Sequence, residues 1–538
     1  MAKLVVLVTG RIAEAMVRAV AKELRERLGL ETHVLVLPIA VAVLATPRIV
    51  EHHLLREFGP RLRDVVEVVI VPGGVRWSCS ELSKRLGIRV VKGTKHIDDL
   101  VDAIEELGIE GLSPDVPADE LARNVGLRKA REALRLCEQE ARVAFSVCGT
   151  RIPVRPPPFR IVAEVLDAWR RKLDDVVEES ARFLESGASI VSLDLHGASP
   201  SDAKAIVSKV VSRLGRPVAV DAPPRVAVGA CLGGAEMIMN VDADSVEKLW
   251  GLPRDVAVTI VPSILGESPG DPARRIELIA RGVDRARRIG IEKLLVDPIL
   301  DPPISGSILD SLVAYREASR RFPRAPMVMG VANVVELYDA DSVGLNAALA
   351  LLALEVGASV LLTVEASRKS MGSVRELSIA TAMLSVARRL GRPPKDLGIS
   401  LLLLKEKRSR EAPLPQPNEY QQRIEVPKHP DSWELDPLGV FRVFVDRARS
   451  RVCALYIGRK GRLLLCSRTA RDLLLEIVSR GLVSRLDHAA YLGRELAKAE
   501  EALRIGRSYV QDEPLFPEVD SLVRRLSIDE EGSGEDGS

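Results

Sequence analysis

The sequence has almost no excess of either charge, since its 538 residues include 77 Lys and Arg against 75 Asp and Glu. A chain without a strong field of one sign is not typical of proteins that bind nucleic acid or anionic membranes. No apolar run reaches the roughly 18 residues of a membrane span, and the N-terminal run Leu4–Val8 is too short for a signal peptide. We therefore expect a cytoplasmic protein whose partners include neither nucleic acid nor a membrane.

Cysteine and aromatic residues are also scarce. The six cysteines are scattered singly, with no C-x-x-C pair and no histidine at zinc-ligand spacing. This pattern favours buried free thiols in a reducing compartment over a metal site or a disulfide framework. Aromatic residues make up 3% of the chain and Met occurs 8 times, while Arg, Val, Leu and Ala are abundant, which is typical of a thermophilic source.

The N-terminal residues lack the glycine motifs that bind phosphate. Strand, glycine turn and helix recur there, which predicts an open parallel α/β sheet. Neither G-x-G-x-x-G nor G-x-x-x-x-G-K-[ST] occurs, so dinucleotide or Walker-type binding has little support. Gly10, Gly73, Gly74 and Lys92–His96 would fall at the carboxyl ends of strands, where ligands bind such sheets. We favour turn glycines and solvated lysines over a ligand site.

A long middle segment alternates short apolar runs with helix-like stretches. Eight such runs predict a (β/α)8 TIM barrel, and hydrophobic residues, at 46% of the chain, suffice for its large core. The predicted strands are Arg160–Val165, Ser189–Leu195, Pro217–Ala222, Glu236–Val241, Val256–Ile264, Lys293–Ile299, Pro326–Asn333 and Ser359–Glu365.

Composition sets the domain boundaries. Three consecutive prolines, Pro156–Pro158, form a stiff entry into the barrel, and the run Lys405–Gln422 is polar and Pro-rich. The prediction is an N-terminal open α/β (Rossmann-like) domain at 1–150, a barrel at 151–404, a linker at 405–425, a small C-terminal α/β domain at 426–526 and a disordered acidic tail at 527–538.

Most predicted strands end in polar side chains, which the barrel would gather at one mouth. Buried carboxylates are costly unless they are hydrogen-bonded, so several at one mouth indicate a ligand rich in N–H donors, or a cation. The alternative is that each acid caps a neighbouring helix. The candidates are Glu164, Asp194 with His196, Asp221, Asn240 with Asp242, Ser263, Asp297, Asn333, and Glu365 with Ser367, Arg368 and Lys369.

The order of these motifs matches a known pattern. Gly187–Asp194 reads Gly-Ala-Ser-Ile-Val-Ser-Leu-Asp, the next strands end in Asp221 and in Met239–Asp242, and the sixth ends in Asp297-Pro298. The sequence resembles the pterin-binding barrel family, which includes dihydropteroate synthase and the methyltetrahydrofolate-dependent methyltransferases. The resemblance is closest to an archaeal dihydropteroate synthase-like group with an extra N-terminal α/β domain and a further C-terminal domain.

The resemblance implies a reduced pterin of the tetrahydrofolate or tetrahydromethanopterin type as ligand. Asp221, Asn240 and Asp297 would hold its ring, and Asn333 would stabilise a protonated N5 as a methyl group leaves. The alternative for Asn333 is a helix cap. The pterin site would also include Asp194, Asp242 and Ser367, while Lys369 would meet a phosphate, a carboxylate or the pterin carbonyl.

The chain also departs from the synthase pattern. Strand one offers Glu164 where the synthase has an asparagine for a magnesium-bound diphosphate, and the loop His196–Pro200 lacks the synthase's arginine. Glu164 is therefore a candidate Mg²⁺ ligand or a candidate proton donor. Loss of the arginine removes a strong diphosphate clamp, which puts ordinary dihydropteroate synthesis in doubt.

Three functions follow from these observations. The first is transfer of a methyl or pterinyl-methyl group in pterin-dependent one-carbon or cofactor metabolism. The second is a non-catalytic pterin-binding scaffold whose flanking domains recruit a partner, with a corrinoid protein, another protein or a second copy of the chain as candidates. The third is an unrelated TIM-barrel enzyme acting on a phosphorylated small molecule, which would need a better phosphate loop than Met371–Ser373.

Overall fold

The computed structural model describes residues 3–253, 255–263, 270–405 and 434–516, and the chain divides into two compact units at residues 1–406 and 407–538. Residues 406–425 of the predicted linker, the acidic tail and Ile264 of the fifth predicted strand lie outside the described residues. Among the described helices, none combines the length and the apolar character needed to cross a bilayer.

The N-terminal domain is built on a four-stranded parallel sheet in the order β2-β1-β3-β4. Alternate residues of these strands face opposite sides, so Val5 and Leu7 pack under one set of helices and Val6 and Val8 under another. The strands are β1 (Leu4–Thr9), β2 (Thr32–Val36), β3 (Val66–Val71) and β4 (Arg89–Lys92). The helices are α1 (Glu14–Leu28), α2 (Pro47–Phe58), α3 (Leu62–Val65), α4 (Ser80–Leu86), α5 (Leu100–Leu107), α6 (Ala118–Leu121) and α7 (Arg123–Glu140).

A β-hairpin leads from this domain into the barrel. Its strands are β5 (Val143–Val147) and β6 (Thr150–Pro153), so the predicted boundary at residue 150 falls inside the hairpin. Val147, Cys148 and Ile152 pack against inward-facing residues of all eight barrel strands. The hairpin also bonds Ser189 and Glu236 near the amino ends of strands. It therefore covers that end of the barrel, opposite the carboxyl ends of the strands.

Eight parallel strands form the barrel, as the sequence predicts. Their order is β12-β11-β10-β9-β8-β7-β14-β13, and the Val296 N–H donates to the Pro326 carbonyl (3.1 Å) across the closing seam. The strands are β7 (Arg160–Val165), β8 (Ile190–Asp194), β9 (Val218–Asp221), β10 (Ala235–Asp242), β11 (Ala257–Val261), β12 (Leu294–Val296), β13 (Val328–Gly330) and β14 (Val360–Val364).

The barrel helices follow their strands with one exception. Where the sequence predicts a helix at Ser245–Leu252, only a 3₁₀ turn forms, at Val246–Leu249, before Gly251 and Pro253 end it. The helices are α8 (Leu173–Glu185), α9 (Pro200–Leu214), α10 (Pro224–Leu232), α11 (Pro272–Arg288), α12 (Ile308–Arg321), α13 (Ala332–Val335), α14 (Ser342–Val356) and α15 (Ser373–Leu390).

The second unit contains an antiparallel sheet covered by two helices. The strands β15 (Gly439–Asp446), β16 (Arg451–Gly458) and β17 (Gly461–Ser467) pair in sequence order, and α16 (Ala470–Ser479) and α17 (Leu486–Arg504) follow. Cys453 and Cys466 lie opposite each other on β16 and β17 and form a disulfide, which corrects the prediction that all cysteines are free. The other four cysteines are free and buried, as expected.

Candidate functional site

Four strand-end residues predicted from the sequence meet at the barrel mouth, joined by a histidine. Asn240 Nδ2 donates to Asp221 Oδ2 (2.7 Å), and His196 Nδ1 lies 2.9 Å from Asp194 Oδ1. The other ring nitrogen of His196 lies 3.9 Å from Asp221 Oδ1, so the imidazole bridges the two carboxylates. Glu164 Oε1 accepts a hydrogen bond from Ser192 Oγ (3.2 Å) on the adjacent strand.

Local backbone irregularities set the orientation of two of these side chains, Asn240 and Asp194. The register between β10 and β11 shifts between Ile238 and Val241, and within this bulge Asn240 has a φ of +54°. A bulge turns one side chain out of the regular alternation, which here directs Asn240 to Asp221. Asp167 has a φ of +52°, and its N–H donates to Asp194 Oδ2 (3.0 Å). Left-handed conformations at residues other than glycine are costly and concentrate at functional sites.

The carboxylates of this cluster differ in their affinity for protons. Burial, together with the negative charges of Asp221 and Asp194, raises the pKa of Glu164 to about 8. The hydrogen bond from His196, with two backbone N–H groups, lowers the pKa of Asp194 to about 2, and burial raises the pKa of Asp221. Glu164 is thus neutral and Asp194 ionised at neutral pH, which is the arrangement of a proton donor beside a fixed negative charge.

Replacing Glu164 by glutamine should remove a pH dependence of stability. The pKa of Glu164 is about 8 in the folded chain against an ordinary 4.5, so folding loses stability as the pH rises between these values. The wild type should lose about 4 kcal/mol of stability relative to Glu164→Gln as the pH rises from 5 to 9. Urea denaturation at both pH values measures this. Glu178→Gln, at an exposed carboxylate of α8, is the control, and equal pH profiles for wild type and Glu164→Gln would contradict the assignment.

A second carboxylate lies where β12 ends. Asp297 is 4% exposed and accepts hydrogen bonds at Oδ1 from Tyr315 Oη (2.6 Å) and the Ile299 N–H (2.7 Å). Burial raises the pKa of Asp297 to about 6. No described residue donates a hydrogen bond to Oδ2 of Asp297. This carboxylate therefore has one oxygen fixed by the protein and one that can pair with a ligand.

A buried arginine that the sequence analysis missed supports the loop after β12. Arg275 is fully buried, and its guanidinium donates to Asp301 Oδ2 (2.6 Å) and the Ile299 carbonyl (2.9 Å). Ile299 has a φ of +68°, which is strained for a β-branched residue. Arg275 thus holds the strained backbone that also donates to Asp297. Nothing in the run of arginines around it signals this role.

Asn333 lies beyond its predicted strand. The strand β13 ends at Gly330 and a helical turn begins at Ala332, so Asn333 is the second residue of α13. Its amide Nδ2 donates to the Leu300 carbonyl in the loop after β12 (2.8 Å). Because a carbonyl only accepts, this bond fixes the orientation of the amide. No described residue donates a hydrogen bond to the amide oxygen Oδ1.

The other predicted site residues have structural partners. Asp242 Oδ1 accepts the N–H groups of Asp244 and Ser245 and caps the turn after β10. Lys369 Nζ donates to the exposed Asp339 (2.8 Å), and Ser367 Oγ lies 3.2 Å from Ser370 Oγ.

Glu365 is likewise engaged. It forms an ion pair with Arg182 (2.6 Å) and accepts the Val374 N–H at the start of α15 (3.2 Å). The structure therefore does not join Glu365 to the carboxylate cluster through a direct hydrogen bond.

A cavity of about 350 Å³ opens beside Glu164. Two arginines of the β7–α8 loop line it and provide cations that the sequence analysis overlooked. Arg171 pairs with Glu179 (2.6 Å) and Arg170 with Asp167. The full lining is Glu164, Leu166, Asp167, Arg170, Arg171, Glu179, Glu365 and Ala366.

The mouth offers little to a metal ion. Within the described residues, no group of three or more His, Cys, Asp or Glu has a metal-binding arrangement. Glu164, the candidate Mg²⁺ ligand, carries a proton at neutral pH that a cation would have to displace. The described residues of the mouth therefore form no arrangement typical of a Mg²⁺ site.

A closed (β/α)8 barrel with carboxylates and amides at one mouth defines this chain as a TIM-barrel protein with a polar mouth. The uncharacterized protein MJ0107 of Methanocaldococcus jannaschii is 31% identical to it over 530 residues, covering 95% of this chain and 99% of that protein. A family model described as PterinBD-DUF4346 matches residues 435–512. The chain belongs to the family of MJ0107. The description of the matching family model supports the resemblance to dihydropteroate synthase-like pterin-binding proteins that the motifs predict.

Two further similarities cover smaller shares of the chain. The Ycf91-like protein of Nostoc is 32% identical over 107 residues, covering 15% of this chain and 84% of that protein. The solved dihydropteroate synthase from Xanthomonas albilineans, in complex with 7,8-dihydropteroate, is 21% identical, with 45% of this chain and 96% of that chain covered and a TM-score of 0.35.

Proposed function

We propose that the barrel mouth binds a reduced pterin of the tetrahydrofolate or tetrahydromethanopterin type. The observation that carries this proposal is a pair of carboxylates, the half-buried Asp221 and the buried Asp297, at strand ends of one barrel mouth, both with raised pKa values. A ligand with N–H donors would stabilise each carboxylate by hydrogen bonding to it. The guanidine-like edge of a pterin offers a ring N–H and an NH₂ group that can pair with one carboxylate.

The amide of Asn240 extends this recognition. It is held against Asp221 at 2.7 Å, so the two side chains present an acceptor and an amide side by side to a heterocycle. Asp194 and Asp242 contribute indirectly in this proposal, Asp194 by orienting His196 and Asp242 by holding the turn after β10. Ser367 would meet a substituent of the pterin at the β14 end.

The chemistry that we propose is transfer of a methyl or pterinyl-methyl group. In methyl transfer, N5 of the pterin takes a proton, its bond to the methyl carbon breaks, and the carbon bonds to an acceptor nucleophile. The electron pair of the broken bond stays on N5. Neutral Glu164 is the proton donor in this proposal, and Oδ1 of Asn333 accepts the N5–H. Lys369 would exchange its exposed partner Asp339 for an anionic group of the substrate.

A non-catalytic pterin-binding scaffold is the second candidate. The supporting observation is that the cations around the mouth are already paired. Arg170, Arg171 and Lys369 each have a carboxylate partner. A diphosphate leaving group would have to compete with those carboxylates. Such a protein would bind the pterin and present it to a corrinoid or other protein, or to a second copy of the chain.

A methyl-transfer assay distinguishes the two candidates. The full chain is mixed with a 5-methyl reduced pterin and free cob(I)alamin as the nucleophile, and methylcobalamin is followed by absorbance. Methyl transfer predicts turnover that falls by about 100-fold in Asn333→Ala, while Asn346→Ser, on α14, controls for loss of an amide elsewhere. Binding without turnover supports the scaffold, and product formed only from a pterin diphosphate and an arylamine supports pterinyl-methyl transfer.

A further inference from the structure

A groove on the N-terminal domain is lined by a strand that forms an edge of the sheet among the described residues. The strand β2 is the outer strand of the four-stranded sheet, with β1 as its neighbour on one side. The seven consecutive residues at 32–38 line a groove of about 800 Å³, together with residues of α1 and α2. The helices lie on opposite faces of the sheet, since α1 packs in one core and α2 in the other. The edge strand is therefore the floor and the helices are the walls.

The backbone of this floor has hydrogen-bonding capacity to offer. The Val5 N–H donates to the Glu31 carbonyl, and the Leu37 N–H donates to the Thr9 carbonyl, both at 2.8 Å. Because alternate residues of a parallel strand face opposite neighbours, Val34 and Val36 direct their N–H and C=O groups away from β1. No described backbone pairs with these groups. An open edge of this kind is a template for another extended chain.

The lining of the groove contains more basic than acidic side chains. Five of the lining residues are Arg or Lys and one is Glu, namely Arg11, Arg18, Lys22, Arg25, Arg56 and Glu57. Glutamates outside the lining pair with Arg18 at 2.8 Å and with Lys22 and Arg25 at 3.6 Å. Exposed pairs of this kind are weak and can exchange partners. Arg11 and Arg56 are exposed, and no ion pair joins either to another described residue.

We propose that this groove binds an extended acidic peptide segment of a partner protein, which adds to the sheet as a strand beside β2. Main-chain hydrogen bonds to Val34 and Val36 supply the affinity common to any extended chain, and the arginines and lysine select an acidic one. A second copy of this chain fits less well, because pairing of two β2 edges would bring two sets of basic side chains together. This site lies on the N-terminal sheet and is separate from the barrel mouth.

The proposal is tested with a fluorescein-labelled nine-residue peptide of alternating Glu and Val, titrated into the full chain and followed by fluorescence anisotropy. Val34→Pro deletes one outward N–H at an edge position where proline is tolerated, and Val34→Ala keeps that N–H. We expect Val34→Pro to weaken binding by about tenfold and Val34→Ala by less than about twofold. Arg56→Glu should also weaken binding and reduce its salt dependence, unlike Arg320→Glu on the exposed face of α12.

A second measurement guards against misfolding of the proline variant. Wild-type protein is titrated with the same peptide N-methylated at alternate residues, which removes its strand hydrogen bonds and keeps its charge. Weaker binding in one N-methylation register supports strand addition. The proposal would be overturned if the N-methylated peptide bound as tightly as the unmodified one, or if polyglutamate or duplex DNA bound as tightly as the unmodified peptide. A wild-type dimer that dissociates in Val34→Pro would also overturn it.

Discussion

Replacing Arg275 by alanine is expected to lower the free energy of unfolding by about 3–5 kcal/mol, the cost of leaving one partner of a buried ion pair without the other. Asp301, at 5% exposure, would lose the guanidinium that pairs with it. The carbonyl of Ile299 would also lose its donor, which relaxes the strained loop that donates to Asp297. We therefore expect the variant to bind pterin poorly as well as to unfold more readily.

Arg274→Ala provides the matched control for this prediction. Arg274 precedes Arg275 on α11, but its side chain is 51% exposed and pairs with the exposed Glu277. An exposed ion pair within one helix contributes only about 0.3–0.5 kcal/mol. Urea denaturation followed by tryptophan fluorescence measures both variants. Equal losses in Arg274→Ala and Arg275→Ala would show that burial of Arg275 does not set its contribution.

Replacing Asp297 by asparagine is expected to weaken binding of a reduced pterin by about 100-fold, since hydrogen bonds to a charged acceptor contribute up to about 3 kcal/mol. The amide keeps the shape of the side chain and one acceptor for Tyr315. It lacks the negative charge and the second acceptor oxygen that a ring N–H and an NH₂ group require. The exposed Asp244, which lies after β10 and pairs with Arg285, supplies the control Asp244→Asn.

The same carboxylate predicts how binding depends on pH. The pKa of Asp297 is raised to about 6, and the ionised form is the one that accepts hydrogen bonds from the ligand. Pterin affinity should therefore rise as the pH increases from 5 to 7. Asp297→Asn should lose this dependence, and calorimetric titrations at both pH values measure it. A rise in affinity that persists in Asp297→Asn would assign the titration to another group.

Much of the barrel could be predicted because its strands coincide with short apolar runs in the sequence. The strand β7 has the predicted bounds, Arg160–Val165, and the other strands fall within or beside their predicted runs. The strands β12 and β13 are shorter than predicted, because the chain leaves the sheet into a loop with a left-handed Ile299 and into the helical turn of α13. Apolar character alone does not reveal such turns.

The sequence predicted which residues lie at the mouth. It predicted less well which partner each of them contacts. Asp221 and Asp242 both end strands, yet one bonds the amide of Asn240 and the other caps a turn. Strand position alone does not distinguish these orientations, which depend on the bulge in β10. The sequence also did not reveal the disulfide between Cys453 and Cys466. These two cysteines are brought together by the register of β16 and β17.

The most direct test of the central claim is a calorimetric titration of the full wild-type chain with an unsubstituted tetrahydropterin at neutral pH under anaerobic conditions. Ligand binding at the carboxylates of the mouth predicts one saturable site with micromolar affinity, which Asp297→Asn and Asn240→Ala weaken and Asp244→Asn does not. Absence of binding by correctly folded wild-type protein, or equal affinity in all four proteins, would contradict a pterin site at this mouth.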